Sequence, residues 1–407
     1  MTTFSPLLAS GQSTSGHRPD EMTMVTPLQN ESTSDLGYDK TEMFIPWNNP
    51  DNIISFETFV SFETVMTCGV SLILMTVGVP TNLLNCLVFY RQGLRDRMNL
   101  CLFSLALVDM LFVTFFYLIC SYCLVGHLFP DVSEWWKFFA RKYFTGIYRG
   151  FLYSSGLLTM VIAVERCVCV SLPLKAATLV KTQTIAVLIA SIVLSIQTMC
   201  LLYPLELSIG TMEDPNTGKI TLFLTTTEFR SQYILLYNIV ENTLIMIVIP
   251  FTTFTVVTIA TAITVVQLKR AIAWRHGSSS SSSSDVREVA LVKMLVVVSL
   301  IYIISSAPNV ALGMTRLLVP EFVANRRYAN IFLASHLLSL ILGQLNSSVN
   351  FFVYLARSSR FRQELRGLLH RYGIKWVNTE SARTLQDTTT TMAKEHSISE
   401  VSRDANH

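Results

Sequence analysis

Val161–Lys175 reads VIAVERCVCVSLPLK, an apolar segment that contains an adjacent acid and base, Glu165 and Arg166, and then Pro173. The segment ends a long apolar run. An arginine this deep in a hydrocarbon layer costs roughly 2.5–3.5 kcal/mol on an insertion scale, so it needs a partner or a water-filled cavity. The stretch therefore indicates a membrane-spanning helix that ends on an ion pair.

The composition of the whole chain agrees with a position in lipid. Of its 407 residues, 51% are hydrophobic and only 14% are charged, and the mean hydropathy is +0.44. A soluble domain has about 25% charged residues. This much apolar surface cannot be buried in the core of a water-soluble protein, so we expect the chain to lie in a lipid bilayer.

Seven apolar stretches follow one another, and each exceeds the ~20 residues that a ~30 Å hydrocarbon layer requires. They cover residues 60–90, 99–124, 139–170, 182–205, 232–268, 287–315 and 329–356. Lipid offers the backbone no hydrogen-bond partners, so each stretch should be a helix. The predicted fold is an all-α membrane protein, a seven-transmembrane helix bundle over residues 58–356.

The segments outside the bundle are polar. Residues 1–57 and the Ser/Thr-rich residues 373–407 are predicted to be disordered tails, and Gly277–Asp285 a flexible link. Residues 357–372 should form a short amphipathic helix on the membrane surface after span seven. One face of that helix is apolar and carries Phe361, Leu365, Leu368 and Leu369.

The charges between the spans predict the orientation of the chain. Lysines and arginines cluster after spans one, three, five and seven, whereas the amino-terminal tail is acidic. The positive-inside rule then places the amino terminus outside the cell and the carboxyl terminus in the cytoplasm. In that orientation Asn30 is a glycosylation acceptor, unless its sequon arises by chance.

All eight cysteines lie in or beside apolar runs, and Cys120-Ser-Tyr-Cys123 is a CxxC within one of them. This distribution is typical of buried free thiols rather than of a disulfide framework. We therefore predict that the cysteines are free.

Six short motifs occur in matching spans and in order. They are Gly78-Val-Pro-Thr-Asn82, Leu105-Ala-Leu-Val-Asp109, Glu165-Arg166, Pro250, Pro308 and Asn346-Ser-Ser-Val-Asn350-Phe-Phe-Val-Tyr354. Together they resemble the motifs of rhodopsin-like (class A) G-protein-coupled receptors, over residues 60–371. The resemblance is to a divergent branch, similar to invertebrate peptide or chemosensory receptors.

The resemblance implies a sodium pocket around the mid-membrane carboxylate of Asp109. The side chains that would cage it are those of Ser155, Asn346, Ser347 and Asn350. The alternative is a neutral, hydrogen-bonded Asp109 that ties three helices together. Asn82 would join spans one, two and seven by hydrogen bonds, and Pro250 and Pro308 are structural.

The resemblance also implies a switch for G-protein coupling at Arg166, with Asn350 and Tyr354 as further members. Two acids are candidate partners of Arg166. Glu165 is its neighbour, and Glu288 lies where the family often places the acid that clamps span six in the inactive state. Glu288 is alternatively a solvated acid at a helix start, favoured by the helix dipole.

Several residues depart from the family pattern. Arg141 stands where the family has a disulfide cysteine, and no cysteine lies between Leu201 and Tyr237, so packing alone should hold that outer loop. Ser306 replaces the toggle tryptophan of span six, and Thr258 replaces a tyrosine of span five. The scaffold remains, but the usual switch residues are incomplete.

The outer half of the bundle is the default ligand pocket. Tyr148 stands where amine receptors carry an aspartate, which argues against an amine. A buried cation at Arg149 favours a ligand with a carboxylate or another anion. Alternatively Arg149 forms an internal pair with Glu241 or reaches to the interface. The candidate ligand contacts are Tyr148, Arg149, Gln197, Glu241 and His336.

These features predict a multi-pass plasma-membrane receptor that couples an extracellular ligand, a short peptide or a small anionic chemosensory molecule, to a heterotrimeric G protein. Phosphorylation of the tail would recruit an arrestin-like partner. The alternative is a seven-span transporter or ligand-gated chemoreceptor channel, although no internal repeat is visible. We expect no enzyme activity, since no catalytic pairing is recognisable, no nucleic-acid partner, and no cofactor other than sodium.

Overall fold

The computed structural model describes residues 52–172, 181–213, 220–276, 283–324 and 326–371. Residues 1–51 of the predicted amino-terminal tail, which include Asn30, the predicted tail 373–407, and most of the Gly277–Asp285 link lie outside these residues. Residues 52–57, predicted to be disordered, are described, and the first helix already begins at Phe56. Within the described residues, seven helices are long and apolar enough to cross a membrane, as predicted. The spans cover Phe56–Gln92, Arg97–Cys120, Pro130–Ser171, Thr182–Glu206, Ile234–Ala273, Val289–Leu318 and Ala329–Arg357.

Four of the spans are composite or continue beyond these bounds. Span four consists of the α-helices Thr182–Cys200 and Leu202–Glu206. Span one consists of α-helices Phe56–Thr64 and Leu72–Gln92 with the π-helical segment Val65–Ser71 between them. The helices of span five are Ile234–Tyr237, the π-helical Asn238–Val248 and Ile249–His276. The helix of span six is Ser283–Leu318. Short helices cover Tyr122–Leu128, Leu202–Glu206 and Glu228–Gln232.

Local signals fix several helix ends. Gly93 ends span one with a φ of 94°, a conformation that favours glycine. The Asp96 carboxylate then accepts hydrogen bonds from the amides of Met98 (3.0 Å) and Asn99 (2.9 Å) and caps span two. Pro130 occupies the first turn of span three, where its missing N–H is no loss. That proline explains why span three begins earlier than its apolar run predicted.

The chain after span four forms a β-hairpin that the all-α prediction did not include. Strands β1 (Leu207–Glu213) and β2 (Ile220–Thr226) pair antiparallel, with Leu207 opposite Thr226. Two contacts close the base of the hairpin. Arg230 and Glu206 form a buried ion pair, and the Thr227 hydroxyl donates a 2.7 Å hydrogen bond to the Leu205 carbonyl. The prediction that packing alone holds this loop was therefore wrong.

The prediction that all cysteines are free was also wrong. Cys68 and Cys123 form a disulfide, with their Cα atoms 5.7 Å apart. The helix of span two ends at Cys120 and the chain turns at Ser121, so Cys123 leaves the apolar run and faces span one. The other six cysteines are free.

Span three is the central helix of the bundle and contacts spans two, four, five and six. A close approach to span four occurs at Gly146, where an added Cβ would overlap the carbonyl oxygen of Cys200 and lie 2.9 Å from Tyr203 Cβ. On the opposite side, Phe112, Val113 and Phe116 of span two form a buried cluster with Tyr148. These contacts set the position of the segment that carries Tyr148 and Arg149.

The predicted helix after span seven is present at Ser359–Arg371. Phe361, Leu365 and Leu368 are buried on one face, whereas Arg360 and Arg366 are exposed. Within residues 52–358, one end of the bundle holds the hairpin and the other holds Arg166. We call these the hairpin end and the Arg166 end.

Candidate functional site

A cavity of about 470 Å³ opens at the hairpin end of the bundle, within the range of ligand pockets. All seven spans and both strands contribute to its walls. Among the predicted ligand contacts, Tyr148, Arg149, Glu241 and His336 line it. Gln197 does not: its amide donates to the carbonyl of Ile147 (3.3 Å) and packs on Gly150, so it belongs to the contact between spans three and four.

Arg149 is buried, with 7% of its surface exposed, and its guanidinium is surrounded by partners. Nη1 lies 3.2 Å from Glu241 Oε1, and Nη2 lies 3.4 Å from His336 Nε2. The ring of Tyr203 stacks under the guanidinium at 4.9 Å. The structure thus contains the internal pair with Glu241 that the sequence left as one of the alternatives.

Two further arginine–glutamate pairs line the same cavity. Arg141 Nη2 lies 3.3 Å from Glu63 Oε1, which joins span three to span one, and Arg230 pairs with Glu206 below the hairpin. Tyr122 lies nearby, and burial raises the pKa of its hydroxyl, so it remains a hydrogen-bond donor. Because buried charges are costly unless paired, these contacts neutralise most of the wall.

Arg316 of span six also lines the cavity, and the sequence analysis did not identify it. Its guanidinium donates to Met246 Sδ at 2.9 Å and to Asn242 Oδ1 at 3.3 Å, and lies 5.5 Å from the centre of the Phe332 ring. Arg316 directly follows the predicted span 287–315, and a charged residue at the edge of an apolar run is the signal that could have identified it.

Asp109 is fully buried at the centre of the bundle, and its carboxylate joins three spans. Oδ1 accepts hydrogen bonds from the hydroxyls of Ser155 (2.6 Å) and Ser347 (2.7 Å), and Oδ2 accepts one from Asn350 Nδ2 (3.0 Å). The predicted fourth member, Asn346, lines a neighbouring cavity of about 70 Å³ together with Ser155 and Ser347.

The residues around Asp109 fit a small hard cation, which prefers oxygen ligands. The carboxylate and two hydroxyl oxygens converge, and Oδ1 of Asn350 is buried without a hydrogen-bond partner in the described residues. No cation of the described chain forms an ion pair with Asp109. An ionised Asp109 together with this unused amide oxygen would suit a monovalent ion.

At the Arg166 end, the Glu165 carboxylate binds two arginines. It forms a two-point ion pair with Arg166, and its Oε1 lies 2.8 Å from Arg97 Nε of span two. The Cys169 thiol donates to the same oxygen at 3.3 Å. From the sequence alone, Arg97 counts only among the basic residues that follow span one and predict the orientation of the chain. The side chain of Glu288 lies outside the described part of the structure, so its pairing with Arg166 stays a prediction.

The remaining motif residues hold the helices together. Asn82 Nδ2 donates to the carbonyl of Ser347 at 3.0 Å, which joins spans one and seven. Those spans are close because Gly78 has no side chain: an added Cβ would lie 2.6 Å from Ser348 Oγ. Tyr354 is buried and packs edge-to-face on Phe89, with ring centres 5.2 Å apart.

Tyr302 lies where spans five and six meet. Its hydroxyl donates to Thr253 Oγ1 at 2.8 Å, and Ser306 donates to the Tyr302 carbonyl at 2.6 Å. Pro308 lies inside the span-six helix, and Pro250 is the second residue of the α-helix Ile249–His276 of span five. Spans five and six are thus coupled through a tyrosine, in a chain whose toggle position holds Ser306.

A family model described as "7 transmembrane receptor (rhodopsin family)" matches residues 81–354. The matched region begins in span one and ends at Tyr354, so it includes Asp109, Glu165, Arg166 and the cavity walls from spans two to seven. Among curated proteins, none matches the chain significantly.

Proposed function

Because the chain belongs to the rhodopsin family of seven-transmembrane receptors, we propose that it transmits the binding of an extracellular ligand to a heterotrimeric G protein. The ligand occupies the 470 Å³ cavity at the hairpin end, and the G protein binds at the Arg166 end. One observation supports this proposal above all: the cavity lies at one end of the bundle, and Arg166, held by Glu165, lies at the other.

The receptor lies in the plasma membrane with its amino terminus outside. The basic links after spans one, three, five and seven support this orientation. The Cys68–Cys123 disulfide also supports it, because disulfides persist in oxidising compartments, and this one lies beside cavity residues at the hairpin end. The surface helix Ser359–Arg371 would then lie on the cytoplasmic face of the bilayer.

The ligand is a short peptide or a small anionic chemosensory molecule. Tyr148, Arg149, Glu241 and His336 contribute polar groups to the wall, and Phe116, Phe332 and Leu340 contribute apolar surface. This mixture is typical of ligand sites, where a few polar groups fix the orientation of a largely apolar contact.

Signalling requires that Arg166 leave Glu165 and meet the G protein. The ligand shifts this equilibrium only if it binds the active state more tightly; a shift from 1:99 to 99:1 needs about 5.5 kcal/mol of differential binding. Glu288, Asn350 and Tyr354 belong to the same switch. Phosphorylated serines and threonines of the tail would then bind an arrestin-like protein.

Nucleotide exchange tests this function. The purified receptor is placed in lipid nanodiscs with each class of G protein, and peptide and small-acid libraries are screened for accelerated GTP uptake. A ligand should accelerate exchange on at least one class, and Arg166→Gln should lose exchange while still binding that ligand. A ligand that binds saturably but accelerates exchange on no G protein would contradict the proposal.

A sodium ion at Asp109 is part of the same proposal. Asp109, Ser155, Ser347 and Asn350 would hold it, with Asn346 beside the adjoining cavity. A bound sodium ion would balance the buried charge of Asp109. Purified receptor should unfold at a higher temperature in sodium chloride than in potassium chloride of equal ionic strength, and Asp109→Asn should abolish the difference. Equal unfolding temperatures in the two salts for the unmodified receptor would exclude the ion.

A further inference from the structure

Among the described arginines of the cavity, Arg316 is the one whose hydrogen bonds go only to uncharged acceptors. A guanidinium carries five N–H donors. Those of Arg316 contact the thioether sulfur of Met246, which is a weak acceptor, and the amide oxygen of Asn242. Neither acceptor carries a charge, so the positive charge of Arg316 meets no opposite charge in these contacts.

The other described arginines of the cavity are all paired with acids. Arg141 binds Glu63, Arg149 binds Glu241, Arg230 binds Glu206, and Arg326 binds Glu321. No acid of the described residues lies within ion-pair distance of Arg316. The described wall is therefore close to neutral except for one positive charge, and that charge belongs to Arg316.

A row of side chains connects Arg316 to Arg149. Arg316 lies over the ring of Phe332, that ring stacks on His336 with centres 6.3 Å apart and an angle of 6°, and His336 contacts Arg149. The two arginines at the ends of this row differ in their partners. Arg149 is paired with Glu241, so its charge is already balanced within the wall of the cavity. Arg316 faces the cavity beside the apolar side chains of Phe332 and Leu333.

We propose that Arg316, assisted by Asn242, binds a single carboxylate of the ligand, and that the apolar body of the ligand lies against Phe332 and Leu333. One carboxylate neutralises the one uncompensated charge, whereas a doubly charged phosphate would leave an excess negative charge in the wall. A planar carboxylate also matches the guanidinium fork. This inference rests on the proposed function for the cavity's role as a ligand site, but it concerns binding alone.

The test measures binding without a G protein, so its failure is separate from failure of the proposed function. Thermal unfolding of the purified receptor in detergent is followed by tryptophan fluorescence while 3-phenylpropionate is added up to about 10 mM, a range that reveals even a millimolar dissociation constant. The neutral control is 3-phenylpropanamide, which has the same shape. The acid should raise the unfolding temperature saturably, and the amide should not.

A second binding experiment distinguishes the two possible sources of the carboxylate, which are the carboxyl terminus of a peptide and a small organic acid. A tetrapeptide that ends in phenylalanine is tested with a free carboxyl terminus and with an amidated one. A larger shift from the free peptide than from 3-phenylpropionate identifies a peptide terminus as the better source, and the reverse identifies a small acid. Either result supports the carboxylate site, provided that the amidated peptide is inactive.

Variants locate the site. Arg316→Gln should weaken the acid's apparent affinity about tenfold or more, because a charge-assisted hydrogen bond is lost. Arg316→Lys should retain part of the affinity for the acid, because an ammonium group keeps the positive charge but lacks the two parallel donors of the guanidinium. Arg326→Gln, which removes another cavity arginine, is the matched control and should bind normally. The proposal is overturned if no acid shifts the unfolding temperature, if acid and amide act equally, or if Arg326→Gln loses as much affinity as Arg316→Gln.

Discussion

A single carboxylate at the Arg166 end restrains two arginines from different spans. Glu165 is almost fully buried, with 3% of its surface exposed, and it binds Arg166 of its own helix and Arg97 of span two. The two arginines share the same negative charge. Removal of either arginine leaves the carboxylate to hold the other more strongly, whereas removal of the carboxylate takes this shared partner from both.

This sharing predicts opposite effects of two substitutions. Glu165→Gln should raise ligand-independent nucleotide exchange at least about fivefold, the lower range of typical coupling energies, because Arg166 is released. Arg97→Gln should lower it, because Glu165 then binds Arg166 alone. The measurement is basal GTP uptake by a reconstituted G protein at matched receptor amounts.

The double variant is the control for this prediction. In the Glu165→Gln background, Arg97→Gln should have no further effect, since the shared carboxylate is gone. Additive effects of the two substitutions would mean that Arg97 acts on the G protein by a separate route.

The sequence predicted the contacts of single residues well where a short motif specifies them. It predicted them poorly where they depend on packing between distant spans. The Glu165–Arg166 pair was predicted because the two residues are adjacent and lie within an apolar run. Asp109 accepts hydrogen bonds from three of the four residues predicted to surround it. Arg97 and Arg316 were missed, because their partners lie on other spans, at positions that hydropathy does not reveal. For Arg149, the sequence left open the internal pair that the structure contains.

At the scale of elements, apolar length predicted the seven spans because lipid admits no other backbone structure for them. The hairpin and the π-helical segments were missed. β1 and β2 are too short for the criterion of apolar length, which identifies only membrane spans, and a π-helix has no distinct sequence period. Cys123 was assigned to an apolar run because the turn at Ser121 carries no glycine or proline.

Contact between spans three and four at Gly146 predicts a specific loss of stability. In Gly146→Ala the added methyl group overlaps the Cys200 carbonyl, so the helices must separate and Tyr203 must move from Arg149. The unfolding temperature should fall, by about 2–4 °C for each kcal/mol of strain. Gly69→Ala is the matched control, because its added Cβ meets no atom within 4 Å. Equal unfolding temperatures for the two variants would contradict this packing.

The disulfide predicts the number of reactive thiols. After denaturation without reductant, maleimide should label six cysteines, and after reduction eight. Cys123→Ser should leave seven labelled cysteines with or without reductant, because Cys68 is then free. Cys86→Ser, which removes a free thiol, should leave five without reductant and seven with it. Eight labelled cysteines in the unreduced receptor, after expression in a eukaryotic membrane, would show that the bond does not form.

At the scale of the whole molecule, the large cavity and a smaller one at the centre of the bundle share part of their walls. His336 and Leu340 line both the large cavity and the 70 Å³ cavity below it, and the smaller one also includes Ser155 and Ser347, which bind Asp109. Ser306, in place of a bulky tryptophan, borders this smaller cavity. Small hydroxyl side chains, those of Ser305 and Ser306, therefore border the smaller cavity where the resemblance leads us to expect a tryptophan.

The direction of the chain across the membrane is the property on which the two-ended function depends, and it has a direct test. Epitope tags are placed before Met1 and after His407 and are detected in intact and in permeabilised cells. The first tag should be accessible in intact cells and the second only after permeabilisation, as the basic links predict. Asn30→Gln should remove a glycosidase-sensitive increase in mass, which only an external tail acquires. If the tag after His407 is accessible on intact cells, the cavity faces the cytoplasm, Arg166 cannot meet a G protein, and the receptor function is excluded.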